Sequence, residues 1–184
     1  IIDVQILGCN NNGLTPCDSI FSAIQSAHQE PAVFYFPAGD YLFQAPINLR
    51  SNSIIRGAGA SATHFIIDHS GSGNGFNITG TAITSDSSSF ASNGTKNDEQ
   101  INVLNGALYA ANDWIRIVQD DADLVTSSWA IGSVGQIVKI LSANNNTLLL
   151  ASPLRMDYTL ARHPKIYKIN PKENIGIECI SIDR

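Results

Sequence analysis

The chain has 184 residues, of which 43% are hydrophobic and only 15% are charged, so it can bury a core. Its net charge is −5 and its Lys and Arg residues are scattered, which excludes the clustered basic surface of a nucleic-acid-binding protein. No window approaches the roughly 18 consecutive apolar residues of a membrane span. The abundance of Asn, Ser, Gly and Thr favours short strands and turns over long helices.

A single amphipathic helix is predicted near the start of the chain, over residues 15–29. Thr15 is a suitable N-cap, Pro16 fits the first helical position and Asp18 can close a capping box. Four apolar residues then share one face: Ile20, Phe21, Ile24 and Ala27. Pro31 ends the element, because proline cannot continue a helix.

The three cysteines are predicted to have different roles. Cys9 and Cys17 flank a turn rich in Gly and Asn, and a local disulfide between them is favoured over two free thiols. Cys179 lies in an alternating apolar run and is predicted to be a buried packing residue. The four histidines show no metal-ligand spacing, and the cysteines show no zinc spacing.

From residue 33 onward, short strand-like runs alternate with turn residues. The runs are 33–36, 41–43, 47–49, 53–56, 64–67 and 76–78. The turns include Pro37-Ala38-Gly39, Gly57-Ala58-Gly59 and Gly71-Ser72-Gly73. Phe34, Ile55 and Phe76 recur at intervals of 21 residues, which indicates a solenoid of three short strands per coil.

A different pattern begins near residue 80. Strand-like runs at 114–118, 136–141 and 147–150 surround turn residues and predict an antiparallel, hairpin-rich module. The coil rhythm is predicted to return at 166–169 and 175–182. The predicted organisation is therefore an N-terminal cap with the first coils at 1–79, an inserted β-module at 80–158, and a continued coil at 159–184.

The order of these elements resembles the opening of the pectate-lyase-like superfamily. The resemblance rests on four segments: Gly13-Leu14-Thr15, Val33-Phe34-Tyr35-Phe36-Pro37-Ala38-Gly39-Asp40-Tyr41, Pro46-Ile47-Asn48-Leu49-Arg50-Ser51-Asn52 and Ile55-Arg56-Gly57-Ala58-Gly59. The inserted segment also resembles a β-module of some bacterial and phage members, through Asn112-Asp113-Trp114-Ile115, Gly135-Gln136-Ile137 and Pro153-Leu154-Arg155. One departure is Pro16, where many members carry Asp.

The resemblance implies an all-β fold, a right-handed parallel β-helix with a short N-terminal capping α-helix and an inserted antiparallel β-module. The helix would cover the open edge of the first coil. Asp183 and Arg184 come directly after the last strand-like run, so we expect either a truncated chain or a partner covering that end. The opening Ile1-Ile2-Asp3-Val4 suggests a processed or trimmed start.

Two classes of function follow from the resemblance. The first is the N-terminal part of a secreted, extracellular polysaccharide lyase or glycoside hydrolase. In the superfamily the catalytic groups lie on middle coils, so this part alone is expected to be inactive and no catalytic residue is identified. The second is a non-enzymatic adhesin, fibre or tailspike-like scaffold that binds a polysaccharide or cell-surface glycan.

Four residues form the most suggestive candidate for substrate binding: Trp129, Arg155, Asp157 and Tyr158. Aromatic faces can stack on sugar rings, and arginine can hold a uronate carboxylate through two hydrogen bonds. The alternative is that these four residues anchor the inserted module to the coil, and this alternative is favoured.

Two further patterns are weighed against simpler explanations. Asp120, Asp121 and Asp123 offer carboxylate oxygens to Ca²⁺, although solvated loop acids are the favoured interpretation. The run from Gly57 to Ala62 imitates a dinucleotide-binding fingerprint, but a strand rather than a helix is predicted after it. A tight corner between coils is therefore favoured there. Trp114 is predicted to lie in the core.

Overall fold

The computed structural model describes residues 1–69 and 73–184. The chain folds into two compact units, one of Ile1–Thr79 with Lys172–Arg184 and one of Gly80–Pro171. Among the described residues, no helix has both the length and the apolar character that crossing a membrane would require.

The first unit consists of short strands and one described α-helix. The helix α1 is Asp18–Ala27. The strands are β1 (Ile2–Asp3), β2 (Asn12–Pro16), β3 (Ala32–Phe36), β4 (Gly39–Phe43), β5 (Ile47–Asn48), β6 (Ser53–Gly57), β7 (Thr63–Ile67), β8 (Phe76–Asn77), β15 (Ile175–Glu178) and β16 (Ser181–Asp183). They form parallel sheets in the orders β1-β3-β6-β15, β16-β7-β4-β2 and β5-β8. Successive coils therefore stack strand on strand, which confirms the predicted parallel β-helix.

The predicted 21-residue recurrence is half correct. Phe34 of β3 pairs with Ile55 of β6, so the first interval marks a true step between coils. Phe76 does not continue that row, because it pairs with Ile47 in the third sheet. The next neighbour of Ile55 is Ile177 of β15, beyond the second unit in sequence. The second interval of 21 residues was therefore a coincidence of spacing between two different sheets.

Aromatic side chains fill the interior of the coils. Phe36 is fully buried, and its ring centroid lies 4.8 Å from that of Phe65, 5.0 Å from that of Tyr41 and 5.2 Å from that of Phe21. Phe21 belongs to the apolar face of α1, so the helix packs on the interior of the coils. Edge-to-face pairs of this kind add to the stabilisation from apolar burial.

The helix starts later than predicted and has a different cap. Thr15 and Pro16 lie in β2, and Cys17 occupies the N-cap position without a side-chain hydrogen bond. Asp18 closes no capping box, because its carboxylate accepts hydrogen bonds from the backbone N–H groups of Gln44 (3.0 Å) and Ala45 (2.9 Å). Thr15 and Pro16 belong to β2, which pairs with β4, so they do not start the helix that the local sequence pattern predicted.

Of the two cysteine predictions, one is confirmed and one is wrong. Cys9 and Cys17 form the predicted disulfide, with Cα atoms 5.1 Å apart, and both are buried. The prediction for Cys179 was wrong, since it is exposed and has a free thiol. It sits at the corner between β15 and β16 with φ of +58°, so it does not follow the alternation of a strand.

The corner after β6 explains the glycine-rich run. A Cβ atom at Gly57 would lie 2.2 Å from the carbonyl oxygen of Cys179 in the neighbouring coil, so only glycine fits. The following segment is strand β7, as predicted, and not the helix that a dinucleotide site needs. Of the predicted turn Gly71-Ser72-Gly73, the first two residues lie outside the described residues.

The second unit is an antiparallel sheet in the order β10-β13-β12-β11-β14-β9. Its strands are β9 (Thr81–Ser89), β10 (Gln100–Asn102), β11 (Trp114–Val118), β12 (Gly135–Asn144), β13 (Thr147–Leu150) and β14 (Lys165–Asn170). Three short 3₁₀ helices accompany them at Gly106–Leu108, Ser128–Ala130 and Leu160–Arg162. The inward faces of these strands build a core of their own around Ile115, Ile117, Ile140 and Leu148.

Three predictions for this region need correction. Residues 166–169 do not return to the coil but belong to β14, which pairs antiparallel with β9 and β11. The second unit accordingly runs to Pro171 rather than to residue 158. Trp114 is only half-buried, because Ile115 and Ile117 take the inward positions of β11.

We expect Phe36→Ala to lower the free energy of unfolding by about 3–5 kcal/mol, since it removes a fully buried ring from close-packed neighbours. Chemical denaturation followed by circular dichroism measures the loss. Leu14→Ala is the matched control, and its exposed side chain predicts a change within about 0.5 kcal/mol. Equal losses for the two variants would contradict the assigned core.

Candidate functional site

The predicted binding set does not form one cluster. Trp129 lies in the 3₁₀ helix Ser128–Ala130, with 86% of its surface exposed. Throughout the second unit, all of whose residues are described, no hydrogen bond, ion pair or ring contact joins Trp129 to the other three residues. Trp129 is therefore the one member of the set whose aromatic face is open to a ligand.

Tyr158 is buried and cannot stack on a sugar. Its exposed fraction is 0%, and its ring centroid lies 5.7 Å from that of Phe90 in the core of the second unit. Burial disfavours the charged phenolate and raises the pKa of Tyr158 to about 12. Its burial in the core of the second unit agrees with a structural role and does not support its candidacy for substrate binding.

Arg155 and Asp157 belong to a segment that is held by local hydrogen bonds. The backbone N–H of Arg155 donates to the side-chain oxygen of Gln136 at 2.8 Å. The Asp157 carboxylate accepts a hydrogen bond from the backbone N–H of Lys96 at 2.7 Å. Asp157 thus fixes the chain within the second unit, while the Arg155 side chain is exposed.

The three clustered aspartates each have a separate partner. Asp121 is buried and accepts hydrogen bonds from the backbone N–H groups of Gly132 (2.8 Å) and Val134 (2.9 Å). These two amide donors hold the pKa of the Asp121 carboxyl below its usual range.

The other two aspartates pair with side chains from the segment before β14. The Asp123 carboxylate forms a double hydrogen bond with the Arg162 guanidinium, which lowers the pKa of Asp123. The Asp120 carboxylate lies 2.7 Å from the Nδ1 atom of His163. Among the described residues no three His, Cys, Asp or Glu side chains converge as a metal site.

These loops border an open cleft of about 410 Å³ on the second unit. Its floor is the outer face of β11 and β14, where Arg116 and Tyr167 are paired directly across the strands. Residues paired in this way lie on the same face of an antiparallel sheet. The walls come from the loop between β11 and β12 and from the segment before β14, and they include Asp120, Ile131 and His163. Lys165, the first residue of β14, also lines the cleft.

The cleft combines cationic groups with an aromatic ring. The guanidinium of Arg116 donates one hydrogen bond to the carbonyl oxygen of Gly132, which positions the side chain beside the loop. Lys165 is exposed, and Tyr167 is half-buried. Such a surface can bind a polar ligand through charge and through stacking on the ring.

The comparison with protein families gives a match across most of the chain. Residues 1–146 match the family described as rhamnogalacturonase A/epimerase, pectate lyase-like. The chain belongs to this family. The match includes strands β1 to β8 of the first unit and continues through β12 of the second unit, whereas β15 and β16 lie beyond it. No curated protein matches the chain.

Three similar solved structures share the fold of this family member, and all are phage tailspikes. The tailspike of Acinetobacter baumannii bacteriophage AP22, solved in complex with A. baumannii capsular saccharide, has a TM-score of 0.73 and 16% identity. The tailspikes of Pseudomonas phages phi297 and LKA1 have TM-scores of 0.68 and 0.61, with 10% and 16% identity. The matches cover 96%, 98% and 99% of the family member and 28%, 33% and 36% of the tailspike chains. The family member thus spans about a third of those chains.

Sequence reasoning singled out Asp120 and Asp121, which line the cleft, but it missed the residues of the cleft floor. The local signal is a charged or aromatic side chain next to an apolar one that faces the core, as in Ile115-Arg116-Ile117 and Ile166-Tyr167. This pattern predicts that Arg116 and Tyr167 face away from the core. It does not predict that they oppose one another, because the pairing of β11 with β14 is set by distant contacts.

We expect Asp121→Asn to destabilise this family member at neutral pH and much less in acid. The amide can accept only through its oxygen and turns an NH₂ group towards one of the two backbone donors. Since the pKa of Asp121 is lowered by folding, its stabilising effect is present above the unfolded pKa and is lost as the pH falls through the folded pKa.

Thermal unfolding at neutral pH and below about pH 3 tests this expectation. Asp86→Asn is the control, because its carboxylate contacts the exposed hydroxyl of Ser85 rather than two backbone amides. A difference between Asp121→Asn and wild type that stays constant with pH would contradict the assigned role of the ionised carboxylate.

Proposed function

We propose that this chain belongs to a secreted, extracellular carbohydrate-active protein and that its second unit binds polysaccharide. The main support for the proposal is the family match, because the family is described as rhamnogalacturonase A/epimerase, pectate lyase-like. The cleft supports it, because cationic and aromatic side chains lie together at an open surface. The relative from phage AP22 was solved with a capsular saccharide, which agrees with a glycan ligand.

The full-length activity that fits best is a polysaccharide lyase or glycoside hydrolase, with catalysis outside this chain. A hydrolase of the usual type needs two carboxyl groups facing each other across the scissile bond. In the cleft, Asp121 is buried on two backbone amides and Asp120 is engaged by His163. Neither carboxylate is available as a catalytic pair in this arrangement, which favours binding over cleavage.

A tailspike-like scaffold that binds glycan without cleaving it is the second candidate. Three tailspikes share the fold, and this likeness favours a role in surface attachment. Both candidates require glycan binding, so the presence or absence of turnover in the full-length protein discriminates between them.

The last described coil supports a further contact with protein. Ile177 and Ile182 pair with buried positions of the preceding coil, yet they are 37% and 50% exposed. Apolar side chains in inward positions favour a covering layer. We propose that further coils of the same β-helix, or a partner, cover this surface.

We expect the chain to bind at least one polysaccharide in a panel of acidic and neutral glycans and to cleave none. Binding is measured by affinity electrophoresis, and cleavage by new reducing ends together with absorbance from unsaturated products. Turnover by this chain would contradict the assignment of catalysis elsewhere, and binding to no member of the panel would contradict the proposed function.

Trp129 is expected to report on binding, because its ring is open at the end of a loop that also carries Ile131 of the cleft wall. A glycan from the panel that binds should change the tryptophan fluorescence of the wild type and of Trp114→Phe. The change should be lost in Trp129→Phe. Persistence of the full change in Trp129→Phe would show that Trp129 does not contact the glycan.

A further inference from the structure

The cleft on the second unit presents two cations on adjacent strands. Arg116 lies on β11 and Lys165 on β14, two positions apart along the register, since Arg116 opposes Tyr167 and Val118 opposes Lys165. Both cations line the same open space. Within Gly80–Pro171, where every residue is described, neither cation forms an ion pair.

The two acidic side chains at the cleft already have partners within the protein. Asp121 directs its carboxylate to the backbone N–H groups of Gly132 and Val134. The Asp120 carboxylate lies 2.7 Å from the Nδ1 atom of His163. The formal charges of Asp120 and Asp121 balance those of Arg116 and Lys165. The two carboxylates already have partners in the protein, whereas the two cations keep hydrogen-bond donors that a ligand can use. Arg116 uses one donor towards the Gly132 carbonyl and retains others.

The cations are accompanied by a ring and an apolar side chain. Tyr167 lies beside Arg116 on the floor, and Ile131 stands on the wall with 59% of its surface exposed. A free inorganic anion needs only the donors, whereas a sugar ring also offers an apolar face to an aromatic side chain. The combination therefore fits a ligand that carries both a ring and a negative charge.

We propose that this cleft binds an acidic saccharide and that Arg116 and Lys165 bind the carboxylate of a uronate-type sugar. Tyr167 contacts the sugar ring between them. The inference rests on the proposed glycan-binding function and adds the charge class of the ligand and the residues that select it. A planar guanidinium matches the geometry of a carboxylate, and the ammonium of Lys165 adds a second charge.

A pair of matched ligands tests the proposal. The probes are an oligogalacturonate and the same oligosaccharide with its carboxyl groups reduced to alcohols. We expect the wild-type chain to bind the acidic form at least about tenfold more tightly, since hydrogen bonds to ionised groups are stronger than neutral ones. Isothermal titration calorimetry measures both affinities. Inorganic phosphate serves as a third probe and should compete only weakly, because it lacks the ring.

Variants assign the selectivity to the cleft. Lys165→Gln and Arg116→Gln should each weaken binding of the acidic ligand about tenfold, and the double variant should bind both oligosaccharides alike. Lys96→Gln makes the same change of charge at an exposed position of the same unit outside the cleft and should leave the affinity unchanged. Circular dichroism and the melting temperature check that each variant is folded. Within Gly80–Pro171, where every residue is described, the Lys165 side chain makes no hydrogen bond, so its variant remains informative if Arg116→Gln, which loses the bond to Gly132, is destabilised.

The possible results distinguish a failure of acid selectivity from a failure of glycan binding. Equal binding of the acidic and reduced ligands, or variants that bind like Lys96→Gln, would overturn the assignment of an acid-selective cleft. Glycan binding itself would survive that result. If neither oligosaccharide binds while another glycan of the panel does, the uronate assignment fails alone. Failure of every glycan to bind would overturn the proposed function and this inference together.

Discussion

The parallel pairing around Ile55 is the constraint on which the first unit depends. Ile55 is fully buried, pairs with Phe34 on one side and pairs with Ile177 on the other. Each coil can bury its apolar residues only by stacking on its neighbours in this register. A slip of one residue would turn the inward row to the opposite face. The aromatic residues around Phe36 complete the interior that this register defines.

This constraint leaves the connections between coils free to vary. Arg56 and Glu178 form an ion pair although they are 122 residues apart in the chain. The strands that carry them are adjacent all the same, because the second unit is inserted between β8 and β15. The cost of closing a longer connection grows only slowly with its length. The second unit also buries its own core, so the register of the coils does not depend on the inserted sequence.

Much of the fold was predictable where local pattern and final packing agree. Strands β3, β4, β6 and β7 lie within a residue or two of their predicted bounds, because alternation and turn residues mark them locally. The errors came from distant pairing. Thr15 and Pro16 carry a good helix-start signal but belong to a strand that pairs with β4. Residues 166–169 look like a coil strand, and only their pairing with β9 and β11 shows their antiparallel sheet.

The candidate site was harder to predict for the same physical reason. Aromatic and charged residues of the kind that bind sugars do occur at 155–158, but Tyr158 is needed in the core. The cleft is instead assembled by register, which brings Arg116 beside Tyr167. Its wall is held through Gly132, whose N–H donates to Asp121 and whose carbonyl accepts from Arg116. Because the side chains of Asp121 and Arg116 hold this loop through the Gly132 backbone, the exposed side chain of Ile131 is not needed to position it. Substitutions at such exposed positions can therefore change this surface while the coils and the sheet keep their structure.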